Sequence, residues 1–162
     1  MGINKPSLFS HLSSFNGSTF FGLDEMHLIA RGIGKLVYDL TTTTISKDHP
    51  FYFDTSDAFS TYPFYITASD LNVIGTCITN SRKFIPVSFQ GSFQNVIQSI
   101  EGMRAVDWLD YLLYIVPTIV VPCLPNEDSR KAMLALVRGC ALALQWELNE
   151  QDINDLDRYN YN

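Results

Sequence analysis

The chain has 162 residues, of which 46% are hydrophobic and 13% aromatic, enough to build one buried core and too apolar for a disordered chain. Its 17 acidic residues outnumber 11 basic ones, for a formal charge of −6, which disfavours a free-standing binder of duplex DNA, because such proteins draw most of their affinity from phosphate neutralisation. Three distant cysteines, Cys77, Cys123 and Cys140, show no CxxC or Cys/His ligand spacing and read as reduced, buried, small hydrophobes.

Residues 1–21, rich in Ser, Asn, Gly and Phe, read as a loose lead-in without a signal-peptide core. Residues 22–158 read as a single helical domain and 159–162 as a frayed tail. From Leu23 to about Leu40, Leu28, Ile29, Ile33, Leu36, Val37 and Leu40 recur at helical spacing. Gly32 and Gly34 weaken this helix by up to about 1 kcal/mol each, and they suit the close approach of a neighbouring backbone. Residues 41–66, opening on four consecutive threonines and carrying clustered rings, predict an irregular loop pinned by aromatic burial.

Ser69 and Asp70 are placed to cap a helix running to about Asn80, with Leu71, Ile74 and Ile78 on its inner face. Ser92 is placed to cap a short helix carrying Phe93, Val96, Ile97 and Ile100, ended by Gly102. The stretch MRAVDWLDYLLYIVP opens the next helix. Val106, Leu109, Leu113 and Val116 form its stripe, Trp108 and Leu112 widen it, Pro117 kinks it, and Pro122 and Pro125 end it. The apolar run 111–124 is too short for a bilayer and holds two prolines, so no membrane association is expected. Asn126 caps a long helix from Glu127 to Leu148, whose inner face is Met133, Leu134, Val137, Cys140, Ala141, Leu144 and Leu148. Asn149 caps a short final helix with Ile153 and Leu156. The expectation is an all-α array of about six helices.

Three stretches carry candidate chemistry. Asp24 and His27, at i and i+3, can share a proton or a divalent ion; the plainer reading is an acidic helix start beside an exposed imidazole. Asp107 sits beside Trp108 in an apolar helix, a setting for a metal-binding or proton-transferring carboxylate. The plainer alternative there is a first-turn Asp paired with Arg104. Arg82 and Lys83 project from an aromatic-rich loop and suit a phosphate or partner contact, with Phe84 and Phe89 as its anchors. No Walker loop, GxSxG elbow, HExxH or Rossmann glycine pattern is present, which removes conventional hydrolase, kinase and dehydrogenase readings.

LDEMHLIARGIGKLVYDL, NSRKFIPVSFQGSF and MRAVDWLDYLLYIVPTIVVP, in that order, resemble the C-terminal part of CACTA-type (Tnp2-like) transposases of fungal mobile elements. Asp24 and His27 match a D-M-H style motif of that family. Arg104, Ala105, Asp107 and Trp108 match an acid-Trp motif in which the acid is often Glu. The resemblance implies two-metal phosphoryl transfer, with Asp24 and Asp107 as Mg²⁺ or Mn²⁺ ligands, His27 orienting the phosphate or a carboxylate, and a nuclear location. It also implies a catalytic sheet supplied well upstream, and no convincing strand is read in these residues. The expected function is therefore a transposase-derived helical interaction domain, intracellular, catalytically incomplete alone and without a tightly bound cofactor. Its expected partner is a protein or a second copy of itself, with DNA contact possible through Arg82, Lys83 and Arg104. The alternatives are a metal-dependent DNA nuclease or strand transferase, and a small-ligand binder using the rings of residues 51–65.

Overall fold

In a computed structural model, residues 12–13, 24–44, 47–50, 52, 62–86, 95–98 and 100–160 are described, with side chains through Asp157. Among them the chain is all-α and forms five helical rods. The first, α1, runs through Met26–Ile33 in wide i→i+5 turns and continues as an ordinary helix over Gly34–Thr42. It reaches past the expected end into the threonines, because the Thr41 hydroxyl donates to the Val37 carbonyl at 2.9 Å and the Thr42 hydroxyl to that of Tyr38 at 2.7 Å. Thr43, with φ 58°, then ends the rod.

Helix α2 spans Ala68–Ser81 and closes in a tight turn at Arg82–Phe84. Its cap is Thr67 rather than Ser69: the Thr67 hydroxyl accepts from the Asp70 N–H at 3.1 Å and donates to the Asp70 carboxylate at 2.7 Å. The T-x-x-D frame thus starts the helix two residues earlier, with the Ser–Asp pair in its first turn. Ile74 and Ile78 are fully buried, as expected. The helix expected after Ser92 is not formed where it is described: residues 93, 94 and 99 lie outside the described residues, and Asn95–Gln98 is a turn closed by the Gln98 N–H on the Asn95 carbonyl at 3.1 Å. That turn is seated on α2 at Gly75, where the Asn95 side chain occupies the space a Cβ would fill.

The third rod, α3, is continuous from Ala105–Asp110 through wide turns at Tyr111–Val120 to a last tight turn at Val121–Cys123. The wide turns absorb Pro117, which has no N–H to donate, so the rod passes through it; Leu124 then leaves in extended conformation ahead of Pro125. At 19 residues this rod is long and apolar enough to cross a membrane by length and composition, unlike the shorter run read from the sequence. Half of it is buried in the core. Its inner stripe is rotated from the expected one. Trp108, Tyr111, Leu112, Ile115, Val116, Val120 and Val121 are buried, whereas Val106, Leu109 and Leu113 are only half-buried.

Aromatic packing sets that rotation. Tyr38 lies edge-on to Trp108 at 5.7 Å and to Tyr111 at 6.4 Å between ring centroids, and Trp108 meets Tyr111 at 6.0 Å. The backbones close up beneath these rings. A Cβ built on Gly34 would stand 2.8 Å from the Trp108 carbonyl oxygen, so the glycine is what lets α1 touch α3.

Asn126 caps α4, Glu127–Ala143, accepting from the N–H groups of Asp128 and Ser129 at 2.7 and 3.4 Å. Met133, Val137 and Cys140 face the core as expected. Leu134 and Ala141 do not: both lie within α4 on its exposed side, and Leu142 is buried instead of Ala141; Leu148 is exposed because the helix stops five residues early and the chain turns at Leu144–Gln145. Trp146 follows, 99% exposed. Asn149 and Asp152 cap α5, Glu150–Asn160, reciprocally at 2.9 and 3.0 Å. The cysteine expectation needs correction too: all three are free and Cys140 is buried, but Cys77 is exposed and Cys123 half-buried.

Candidate functional site

Asp24 opens α1 as an acceptor. Its carboxylate takes the Met26 N–H at 3.0 Å and the His27 N–H at 3.2 Å, and it is ion-paired with His27 Nδ1. The hydrogen bond from the His27 ring, then that from its backbone, holds the Asp24 carboxyl below its usual 3.8. Both side chains are exposed, so this is a solvated cap with an imidazole folded onto it.

Asp107 is 4% exposed and fully engaged. Arg104 Nε donates to its Oδ2 at 2.9 Å, an Arg104 terminal nitrogen to Oδ1 at 3.0 Å, and the Arg104 backbone N–H to Oδ2 at 2.9 Å. The same residues that resemble the acid-Trp motif therefore build the start of α3, and Arg104 is spent on Asp107 rather than projecting as a free cation. One turn on, Asp110 has a buried carboxylate oxygen with no hydrogen-bond partner. Burial, then the neighbouring Asp107 charge, push its carboxyl up, against the opposing pull of Arg104.

Asp24 and Asp107 thus sit in separate ion pairs on separate rods. The first turns of α1 after Asp24 pack against the Ala105–Asp110 segment of α3, yet each acid is engaged by a partner on its own rod. No three His, Cys, Asp or Glu side chains among the described residues gather as a metal site. With both Asp107 oxygens held by Arg104, these two acids do not fit a shared Mg²⁺ or Mn²⁺ ion.

Arg82 and Lys83 are exposed at the end of α2, the Lys83 ammonium lying 5.0 Å from the Phe84 ring centroid. Phe84 does not anchor this turn: it is 78% exposed, because the tight turn carries it past the last core contact of α2. Phe89 and most of residues 51–65 lie outside the described residues. Within that region Tyr62 is buried and packs edge-on to Phe64 at 6.1 Å.

The feature that single-residue motifs do not announce is a groove of about 760 Å³. Helix α4 forms its floor through Ala132, Ala135, Gly139 and Ala143; Ile29 and Ile33 of α1 and Leu156 of α5 also line it. A Cβ built on Gly139 would meet nothing within 4 Å, so the floor is open above it. The trace in the sequence is a run of small residues spaced three or four apart, which a search for large apolar side chains passes over. At about 1.5 Å per residue, Asp128 to Ala143 gives a trough of roughly 22 Å, or four helical turns.

No protein-family model, curated protein or solved structure matches the chain.

Proposed function

We propose that the chain is a helical protein-interaction domain of transposase ancestry, catalytically incomplete alone, which receives an amphipathic helix of a partner protein in the α1–α4–α5 groove. The groove carries the reading: it has the length of a four-turn helix and a floor of small side chains that permits helix axes to approach to about 8 Å. Charge selects the partner. Among the described residues Asp128 lines the groove without an ion pair, and Lys131 beside it is neutralised by Glu127 at 2.8 Å; α5 lines the groove through Leu156, and its Asp155 is paired with Arg138 at 3.3 Å. An occupant with Leu on one face and Lys or Arg along its flanks complements that surface. The ancestry rests on the order and residues of the three resembling stretches, and it carries with it a nuclear location.

The test is fluorescence anisotropy with an 18-residue Leu/Lys amphipathic peptide, with its Leu/Glu counterpart as control, against the wild-type chain and Gly139→Arg. Saturable binding of the Leu/Lys peptide alone, weakened at least ten-fold by Gly139→Arg, is expected. Equal binding of both peptides, or none, overturns the reading. So does a monomer–dimer equilibrium that Gly139→Arg abolishes, since the occupant is then a second copy.

A second reading concerns the Arg82–Phe84 turn. Two cations beside an exposed ring suit a single-stranded nucleic-acid backbone and one stacked base. Phe84→Ala should weaken oligonucleotide binding at low salt; unchanged binding counts against it.

A further inference from the structure

A second concavity lies on α1, apart from the groove and not needed by it. It has a volume of about 500 Å³ and is lined by His27, Arg31, Gly32, Lys35, Leu36, Asp39 and, from the 47–50 turn, His49. His27, Arg31 and Lys35 follow one another at four-residue steps, so one face of the rod presents an imidazole, a guanidinium and an ammonium in sequence. In a chain carrying −6, this cleft gathers two cations and two of the three histidines against one lining carboxylate.

The three side chains along this face are held differently. Lys35 is ion-paired with Asp39, and the His27 ring is hydrogen-bonded to Asp24, so both are positioned by carboxylates on their own rod. Arg31, between them, makes no ion pair among the described residues. Next to it Gly32 has no side chain to cover the cleft. A Cβ there would press on the His27 carbonyl oxygen at 3.0 Å, so the wide-turn backbone itself keeps this position bare. A guanidinium whose fork is unoccupied, flanked by two further nitrogen donors, is a receptor for a tetrahedral oxyanion that accepts several charge-assisted hydrogen bonds.

We propose that this cleft is a binding site for a phosphate group, with Arg31 supplying the bidentate contact and His27, Lys35 and His49 the surrounding donors. The volume exceeds that of bare phosphate, which suits a phosphomonoester carrying a small organic group. The site does not depend on the transposase resemblance or on the occupant of the groove.

The experiment is an NMR titration of the intact chain with inorganic phosphate at fixed ionic strength, following the His27 and His49 Cε1–H resonances, assigned by loss in His27→Gln and His49→Gln. Phenyl phosphate and sodium sulfate are run in parallel. The expected result is saturable movement of both resonances, at least ten-fold weaker binding in Arg31→Gln, and tighter binding of phenyl phosphate than of inorganic phosphate. Arg31→Lys should recover part of the affinity, since it restores the charge without the fork. The proposal is overturned by shifts that do not saturate, by shifts that sulfate reproduces at equal strength, or by an Arg31→Gln variant with unaltered thermal stability and unaltered titration.

Discussion

Gly34→Ala offers a sharp perturbation of the packing. The new methyl would stand 2.8 Å from the Trp108 carbonyl oxygen and 3.3 Å from the Trp108 Cβ, whereas ordinary contacts begin near 3.4 Å. Neither neighbour is a flexible side-chain end. Trp108 is 3% exposed and wedged between Tyr38 and Tyr111, so α1 and α3 must separate along their contact. Overpacking of this kind costs about 1–3 kcal/mol, and the better helix propensity of Ala returns up to about 1 kcal/mol. A net loss of about 1–2 kcal/mol lowers Tm by roughly 2–8 °C in a chain of this size. Gly139→Ala is the matched control, because its methyl enters open space. It should gain up to about 1 kcal/mol and raise Tm by roughly 2–4 °C. Paired thermal melts and urea titrations, followed by circular dichroism, measure both. If Gly34→Ala melts at or above the wild type, the close approach of α1 to α3 is wrong.

Asp110 titrates with a raised pKa, so the folded chain keeps its proton to higher pH than the unfolded chain does, and ionising it costs stability as pH rises past the ordinary carboxylate range. Asp110→Asn should therefore melt higher than wild type at pH 7 and equally at pH 3; a gain that persists at pH 3 contradicts the assignment. Asp24 runs the other way. Its lowered pKa gives a contribution present above the usual 3.8 and lost as pH falls through the folded value, so the stability difference between wild type and Asp24→Asn should close on acidification. Asp107→Ala should cost about 1–3 kcal/mol by removing three hydrogen bonds at the start of α3, with Arg104 left free to reach water. Calorimetric titration with Mn²⁺ should give no saturable heat, and tight binding abolished by both Asp24→Ala and Asp107→Ala would restore the shared metal site.

Much of this architecture is legible from residue spacing. The Asn126 and Asn149 caps, the Ile74–Ile78 face and the Met133–Val137–Cys140 stripe follow from side-chain oxygens placed ahead of apolar repeats. The α3 stripe is harder to place, because a rod apolar on nearly every side gives periodicity little contrast. Its orientation is decided by the Tyr38–Trp108–Tyr111 packing, which joins residues some seventy positions apart. The end of α4 is hidden for a related reason: Leu144 and Leu148 continue the apolar spacing, yet the chain turns after Ala143.

The candidate sites divide in the same way. That Asp24 meets His27 and Asp107 meets Arg104 can be read from i, i+3 spacing. The groove requires α1 to be brought against α4 and α5, and the concavity on α1 requires His49 to return beside it; neither closure is encoded in a local motif.

The central claim is that a partner helix lies along α4 between α1 and α5. Methyl NMR of the chain titrated with the Leu/Lys peptide tests it most directly, following the Ala132, Ala135, Ala143, Ile29, Ile33 and Leu156 methyls. The account predicts saturating shifts at these methyls, with Ile74 and Ile78 unmoved. Shifts confined to other surfaces, or a spectrum unchanged at saturating peptide, would contradict it.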